Sequence, residues 1–155
     1  MTRGAVAKEI PKLRQKHQVS IDGRLKWNVT EKLSFLFLFG GAGYGLIELI
    51  WRGHTHPSMV VTGGICFVIL YSVNKWLKNR SIILRSAVSS AAITAVEFTV
   101  GVIVNLKLNL SVWDYSSNLF NILGQICPLY TFLWFLLSIP LLMMVTRISC
   151  KIEKK

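Results

Sequence analysis

The chain has 155 residues, of which 52% are hydrophobic and 16% charged, and its mean hydropathy is +0.49. A soluble domain of this length needs polar faces on its helices, and long stretches here have none; the composition excludes an ordinary soluble globule and predicts one membrane domain. The formal net charge is +11. Its basic residues cluster beside apolar runs, with no aromatic-interleaved basic groove, which points to topology signals and anionic lipid headgroups and away from nucleic acid.

Residues 1–32 are polar and basic, with Arg3, Lys8, Lys12, Arg14, Lys16, Arg24, Lys26 and Lys32 against Glu9, Asp22 and Glu31. They read as a basic cytoplasmic N-terminal segment, with a short interfacial helix ending near Trp27 as the alternative. No small-residue cleavage site follows the first apolar run, so it is expected to be a retained span, not a signal peptide.

Residues 33–51 form the first predicted span. Gly41 and Gly45 make a small-xxx-small pair that lets another helix backbone approach closely. Glu48 and Arg52 share that face, so Glu48 is expected to point into the bundle and to pair with Arg52 four residues on. Residues 53–57 read as a tight external turn, with Pro57 beginning the next helix. The second span, 58–74, carries Gly63 and Gly64, again a close-packing site, and ends in a basic loop with Lys75, Lys78, Arg80 and Arg85.

The third span, 86–106, is the most informative. At helical rise it matches the roughly 30 Å hydrocarbon core of a bilayer. Counting by threes and fours puts Ser86, Ser90, Thr94, Glu97, Gly101 and Asn105 along one side, while Val, Ile, Ala and Leu occupy the others. A carboxylate in a span costs on the order of 3 kcal/mol or more, so Glu97 is expected to face the bundle. Next comes an external connection with Trp113, Asp114 and Tyr115, residue types suited to an interface. Residues 118–125 read either as a re-entrant segment or as part of the fourth span, which runs from about 126 to 145 with a kink expected at Pro140.

Charge then sets orientation. Sixteen of the eighteen Lys and Arg residues fall in the two tails and the middle loop, leaving Arg52 and Lys107 for the other two connections. The expectation is an all-α, integral membrane four-helix transmembrane bundle in the cell membrane, with both termini cytoplasmic. It comprises the basic segment 1–32, a membrane domain 33–146 and a basic tail 147–155.

Glu48 and Glu97 are the candidate intramembrane functional residues, together with Asn105. Facing a common cavity, the two acids could bind a cation, a proton or a cationic substrate; the structural alternative is that they hold helices together through Tyr, Asn or Trp hydrogen bonds or through Arg52. Asn105, Asp114, Asn121 and Gln125 either line an outer vestibule or satisfy caps and loop backbone. His54 and His56 have a spacing known in metal sites but no third ligand nearby, so no metal is expected. Cys66, Cys127 and Cys150 form no paired framework. No Walker A motif, nucleophile elbow, His-Glu-x-x-His or dinucleotide fingerprint occurs, so neither an enzyme nor a cofactor is expected.

Several stretches occur in a familiar order: Gly-Tyr-Gly-Leu-Ile-Glu (43–48), Arg-Gly-His-Thr-His-Pro-Ser-Met (52–59), Gly-Gly-Ile-Cys-Phe (63–67), Glu-Phe-Thr-Val-Gly (97–101), Trp-Asp-Tyr-Ser (113–116) and Asn-Ile-Leu-Gly-Gln-Ile-Cys (121–127). The set resembles the bacterial membrane proteins described as putative ABC-transporter type IV. That resemblance implies a small multi-span inner-membrane protein, with Glu48, Glu97, Trp113, Asp114, Tyr115 and Ser116 at the family's characteristic positions. The first expectation is therefore a permease-like transport component, homo-oligomeric or partnered with a separate ATPase. In it, residues 113–116 would form part of an outer gate, and the glycine-rich faces of spans one and two would offer association surfaces. The alternatives are a non-transport scaffold, sensor or assembly factor, and an oligomeric ion channel.

Overall fold

The computed structural model describes residues 28–153, with side chains through Arg147. The expectations for the segment before residue 28, the interfacial helix near Trp27 among them, lie outside the described residues. Among the described residues four helices follow one another: α1 (Val29–Arg52), α2 (Pro57–Trp76), α3 (Ile82–Gly101), which continues as a π-helical turn over Val102–Lys107, and α4 (Pro128–Glu153). All four are long and apolar enough to cross a membrane. Among the described residues there is no strand, only an isolated bridge between Ile122 and Ile126.

Local chemistry explains the helix ends. The Asn28 amide donates to Glu31 Oε2 (2.9 Å), one half of a capping box at the start of α1. Gly53, in the left-handed region at φ 74°, ends α1 and donates its N–H to the Leu49 carbonyl (3.0 Å). The α2 start combines Pro57 with His56 Nδ1, which accepts from the Ser58 amide (3.2 Å). Helix α4 runs continuously through Pro140.

In lipid, helices associate through close packing, because moving an apolar side chain from acyl chains to a neighbouring helix gains little. The α1–α2 seam shows how. A Cβ on Gly40 would lie 2.9 Å from the Gly63 carbonyl oxygen and inside the Phe67 side chain, and one on Gly63 would enter Tyr44. One on Gly64 would meet the Phe37 ring and carbonyl at 2.7–2.8 Å, and one on Gly41 the Val60 carbonyl at 2.7 Å. Gly40 and Gly63 therefore face each other within one chain, and Gly41 and Gly64 pack against Val60 and Phe37 across the same seam. The close approach of these glycines is made inside the α1–α2 hairpin. Gly40, not singled out from the sequence, belongs to this seam, whereas Gly45 stands looser, 3.3 Å from Val60 Cγ2.

Helix α2 touches all three other helices. Leu36, Phe67, Leu70, Ile93, Leu142 and Val145 form the buried centre around it. Leu46, Ile47, Leu49 and Ile50 of α1 are exposed, as lipid-facing residues would be.

Helices α3 and α4 are offset. Ser90 Oγ donates to the Thr131 carbonyl (2.6 Å), and Thr94 Oγ1 donates to Thr131 Oγ1 (3.1 Å). The first turn of α4 thus lies level with the middle of α3. From Thr94 to Lys107, α3 continues for about 20 Å at 1.5 Å per residue, beyond the level at which α4 begins. The irregular segment 108–127 fills that space: Trp113 and Gln125 pack on Gly101. Residues 118–125 therefore do not extend α4; they fold back beside the second half of α3.

Candidate functional site

Non-helical backbone at membrane depth survives only where protein satisfies its polar groups. Segment 108–127 is fastened to α3 and to itself by the polar residues the sequence offers. The π turn releases the last amides of α3 to longer bonds, Leu108 N–H to the Ile103 carbonyl and Leu110 N–H to the Val104 carbonyl (both 3.0 Å). Asn105, buried at 8% exposure, is the central fastener. Its Nδ2 donates to the Trp113 carbonyl (3.0 Å) and to Gln125 Oε1 (2.8 Å), and its Oδ1 accepts from the Val112 amide (2.7 Å). Trp113 Nε1 donates to the Gln125 carbonyl (3.0 Å), and Gln125 Nε2 to the Leu123 carbonyl (2.9 Å).

The far half of the segment closes on itself. Tyr115 N–H donates to the Gly124 carbonyl (2.7 Å). Asn121 Nδ2 donates to the carbonyls of Ser116 and Asn118 (3.1 and 2.8 Å), while its Oδ1 accepts from the Gly124 amide (3.0 Å). Asp114 Oδ1 accepts from both the amide and the hydroxyl of Ser116, and these bonds hold its carboxyl below the usual carboxylate range. Gly124 is required twice: its φ is 69°, and a Cβ would sit 2.6 Å from Ser116 Oγ. Tyr115 stacks on Tyr130 of α4 at 4.2 Å.

The two span acids have different surroundings. Glu48 is buried, but its Oε1 accepts from Arg52 Nη1 (3.1 Å) and its Oε2 from Thr55 Oγ1 (2.8 Å). Arg52 also donates Nη2 to the Val112 carbonyl (2.6 Å), so this ion pair latches α1 to segment 108–127. Glu97 is buried at 4% exposure on α3, and Trp134 Nε1 of α4 donates to its Oε2 (2.6 Å). Among the described residues no basic side chain lies within ion-pair distance of it. Tyr44 of α1 stacks on Trp134 at 5.7 Å. Tyr44 and Trp134 are functional candidates that the sequence reading missed. Tyr44 stands one turn before Glu48 on the same face, and a Trp in a span needs an acceptor for its indole N–H.

The remaining candidates are peripheral. His54 Nδ1 contacts the Arg52 carbonyl (2.9 Å), and His56 caps α2. At the opposite end of the bundle, Asn74 Oδ1 accepts from Arg85 Nη1 (2.8 Å) and from Thr146 Oγ1 (3.3 Å), joining α2, α3 and α4 in a cluster that the sequence reading also missed.

Among the described residues, four membrane-length helices, a non-helical segment folded beside α3 and a buried carboxylate on α3 bonded by Trp134 of α4 point to a multi-pass helical membrane protein. The chain belongs to the family described as putative ABC-transporter type IV, whose model matches residues 35–154 and so takes in nearly the whole helical domain. No curated protein and no solved structure matches it.

Proposed function

We propose that the protein is the membrane subunit of a transport system, partnered with a separate ATPase, and that Glu97 is its cation- or proton-handling group. The asymmetry between the two acids carries this reading. Arg52 neutralises Glu48, whose role is to latch segment 108–127. Glu97 has an indole N–H but no cation among the described residues. A buried carboxylate without a counter-ion either holds a proton or waits for a positive charge. The stacked Tyr44–Trp134 pair beside it suits an organic cation, because aromatic faces attract positive charge most strongly where water is excluded. The concentration of Lys and Arg in both tails and the middle loop supports cytoplasmic termini, with the Glu48 end of the bundle outside.

The test is flux through proteoliposomes holding the protein and its co-purified ATPase. Entrapped pH dye reads proton movement, and a radiolabelled tetraalkylammonium reads organic-cation uptake. Glu97→Gln keeps the size and the bond from Trp134 and is expected to abolish whichever flux the wild type shows. Glu48→Gln is expected to keep that flux and lower stability. Wild-type flux in Glu97→Gln would sink the reading.

A further inference from the structure

We propose that Glu97 takes up and releases a proton through the Asn74 end of the bundle, along a line of hydroxyls between α3 and α4. The proposal rests on the reading of Glu97 as a proton-handling group and adds the route and its direction.

A hydroxyl within a membrane helix can close on the carbonyl one turn back. Four here do so: Thr62 donates to the Ser58 carbonyl (2.7 Å), Ser72 to Val68 (2.8 Å), Thr99 to Ala95 (2.8 Å) and Thr146 to Leu142 (2.7 Å). Ser86, Ser89 and Ser138 do not. They are 0, 0 and 1% exposed, and their Oγ atoms have no hydrogen-bond partner among the described residues. A hydroxyl has one donor and two acceptor sites, and leaving them empty in the interior is costly. Packing alone would be served as well by alanine.

The three serines lie at neighbouring depths. The bonds from Ser90 and Thr94 put Thr131 level with them, and α4 runs antiparallel to α3, since Arg85 and Thr146 meet at Asn74. Seven residues beyond Thr131, Ser138 is therefore about 10 Å nearer the Asn74 end, at the level of Ser86. From there the hydroxyls lead to Glu97. Ser86, Ser90 and Thr94 follow at about 6 Å per turn, and Glu97 comes about 4.5 Å later on the same side of α3. One water spans a step of that length, and the free Oγ atoms supply the partners a buried water needs. At the other end the line reaches Arg85, which is partly exposed, is tied to Asn74, and has a buried Nε that likewise lacks an acceptor. Trp134 engages Oε2 of Glu97, so Oε1 is the oxygen that takes the proton.

In each transfer a hydroxyl or water accepts a proton on a lone pair as it gives its own to the next oxygen. One O–H bond forms for each that breaks, and only Glu97 changes charge, between carboxylate and carboxyl. An organic cation cannot be relayed in this way, so of the two ligands proposed above the line selects the proton.

The test uses the full chain in phosphatidylcholine–phosphatidylglycerol vesicles. Infrared spectroscopy follows the C=O stretch of the protonated carboxyl that Glu97→Gln removes, and the shift of that band after a switch to heavy water gives the exchange rate. Replacing Ser86, Ser89 and Ser138 together by alanine keeps the seam's small side chains and is expected to slow the exchange several-fold. Thr99→Ala, which removes a hydroxyl already closed on the Ala95 carbonyl, is expected to leave it unchanged. Should the triple variant not fold, Ser138→Ala alone is expected to slow the exchange to a smaller extent. Wild-type exchange in the folded serine variants would overturn the route while leaving the role of Glu97 standing. If Glu97→Gln removes no carboxyl band at any pH at which the protein is folded, Glu97 holds no exchangeable proton, and the route and the proton reading of Glu97 fall together.

Discussion

Replacing Asn105 with Leu should unfasten segment 108–127 from α3 while leaving the helices in place. The side chains are similar in size and both tolerate a helix, so the substitution removes hydrogen bonds with little change in volume. Asn105 makes three bonds, to the Trp113 carbonyl, to Gln125 Oε1 and from the Val112 amide. At the roughly 0.6 kcal/mol measured on average for side-chain hydrogen bonds in membrane proteins, losing three costs about 2 kcal/mol. If the Trp113 carbonyl and the Val112 amide stay buried without partners, each costs about 1–3 kcal/mol, and the total reaches about 6 kcal/mol. The expected loss is therefore about 2–6 kcal/mol in unfolding by sodium dodecyl sulfate from mixed micelles, followed by tryptophan fluorescence. Limited proteolysis should show new cleavage within 108–127 before any cut in the helices. A change below about 0.5 kcal/mol, the range of ordinary surface substitutions, with the protease pattern unaltered, would refute the view that Asn105 fastens the segment.

The glycine seam should show a graded response. Gly40→Ala drives a Cβ into Phe67 and toward the Gly63 carbonyl and should cost about 1–3 kcal/mol in the same unfolding assay. Gly43→Ala meets nothing within 4 Å and should gain up to about 1 kcal/mol from helix propensity; equal effects at the two positions would contradict the packing described. Orientation is checked in whole cells in a background without the native cysteines. A cysteine replacing His54, in the turn after α1, should react with an impermeant maleimide added outside, and one replacing Lys78 should react only after lysis. The reverse pattern would invert the bundle.

The spans were legible because each is a long apolar run, and the polar stripe of α3 because its residues recur at helical spacing. Ser86, Ser90, Glu97, Gly101 and Asn105 of that stripe are all buried. The Glu48–Arg52 pair was legible because residues four apart on a helix meet. What the sequence withheld was long-range register. Gly40, Gly41, Gly43 and Gly45 are alike as letters, and only the packing partner on α2 distinguishes Gly40 at the contact from Gly43 in open space. Trp134 could be recognised as a span residue with a donor to satisfy, but not as the donor to Glu97, because that depends on where α4 starts relative to α3. Nothing in residues 118–125 fixes that start by itself; Gly124 and Pro128 mark a break without giving its depth.

That starting depth ties the rest of the molecule together. If α4 began level with the end of α3, its backbone would satisfy itself, and Asn105, Asn121 and Gln125 would be polar side chains with no purpose in a membrane. Because α4 begins level with Ser90 and Thr94, an irregular stretch must stand beside the upper half of α3, and its amides and carbonyls need these side chains as partners. The same offset brings the first turns of α4 to the middle of α3, where Trp134 meets Glu97 and Tyr44. It also leaves Ala87 and Ala91 uncovered below the segment, which opens a lateral groove. The latch from Arg52 to Val112 then has a direct consequence: the pairing of Glu48 on α1 fixes the segment that closes the space above Glu97. Glu48 thus holds Arg52 against the segment that packs on Gly101, one turn beyond Glu97, so neutralising it should loosen that segment and lower stability.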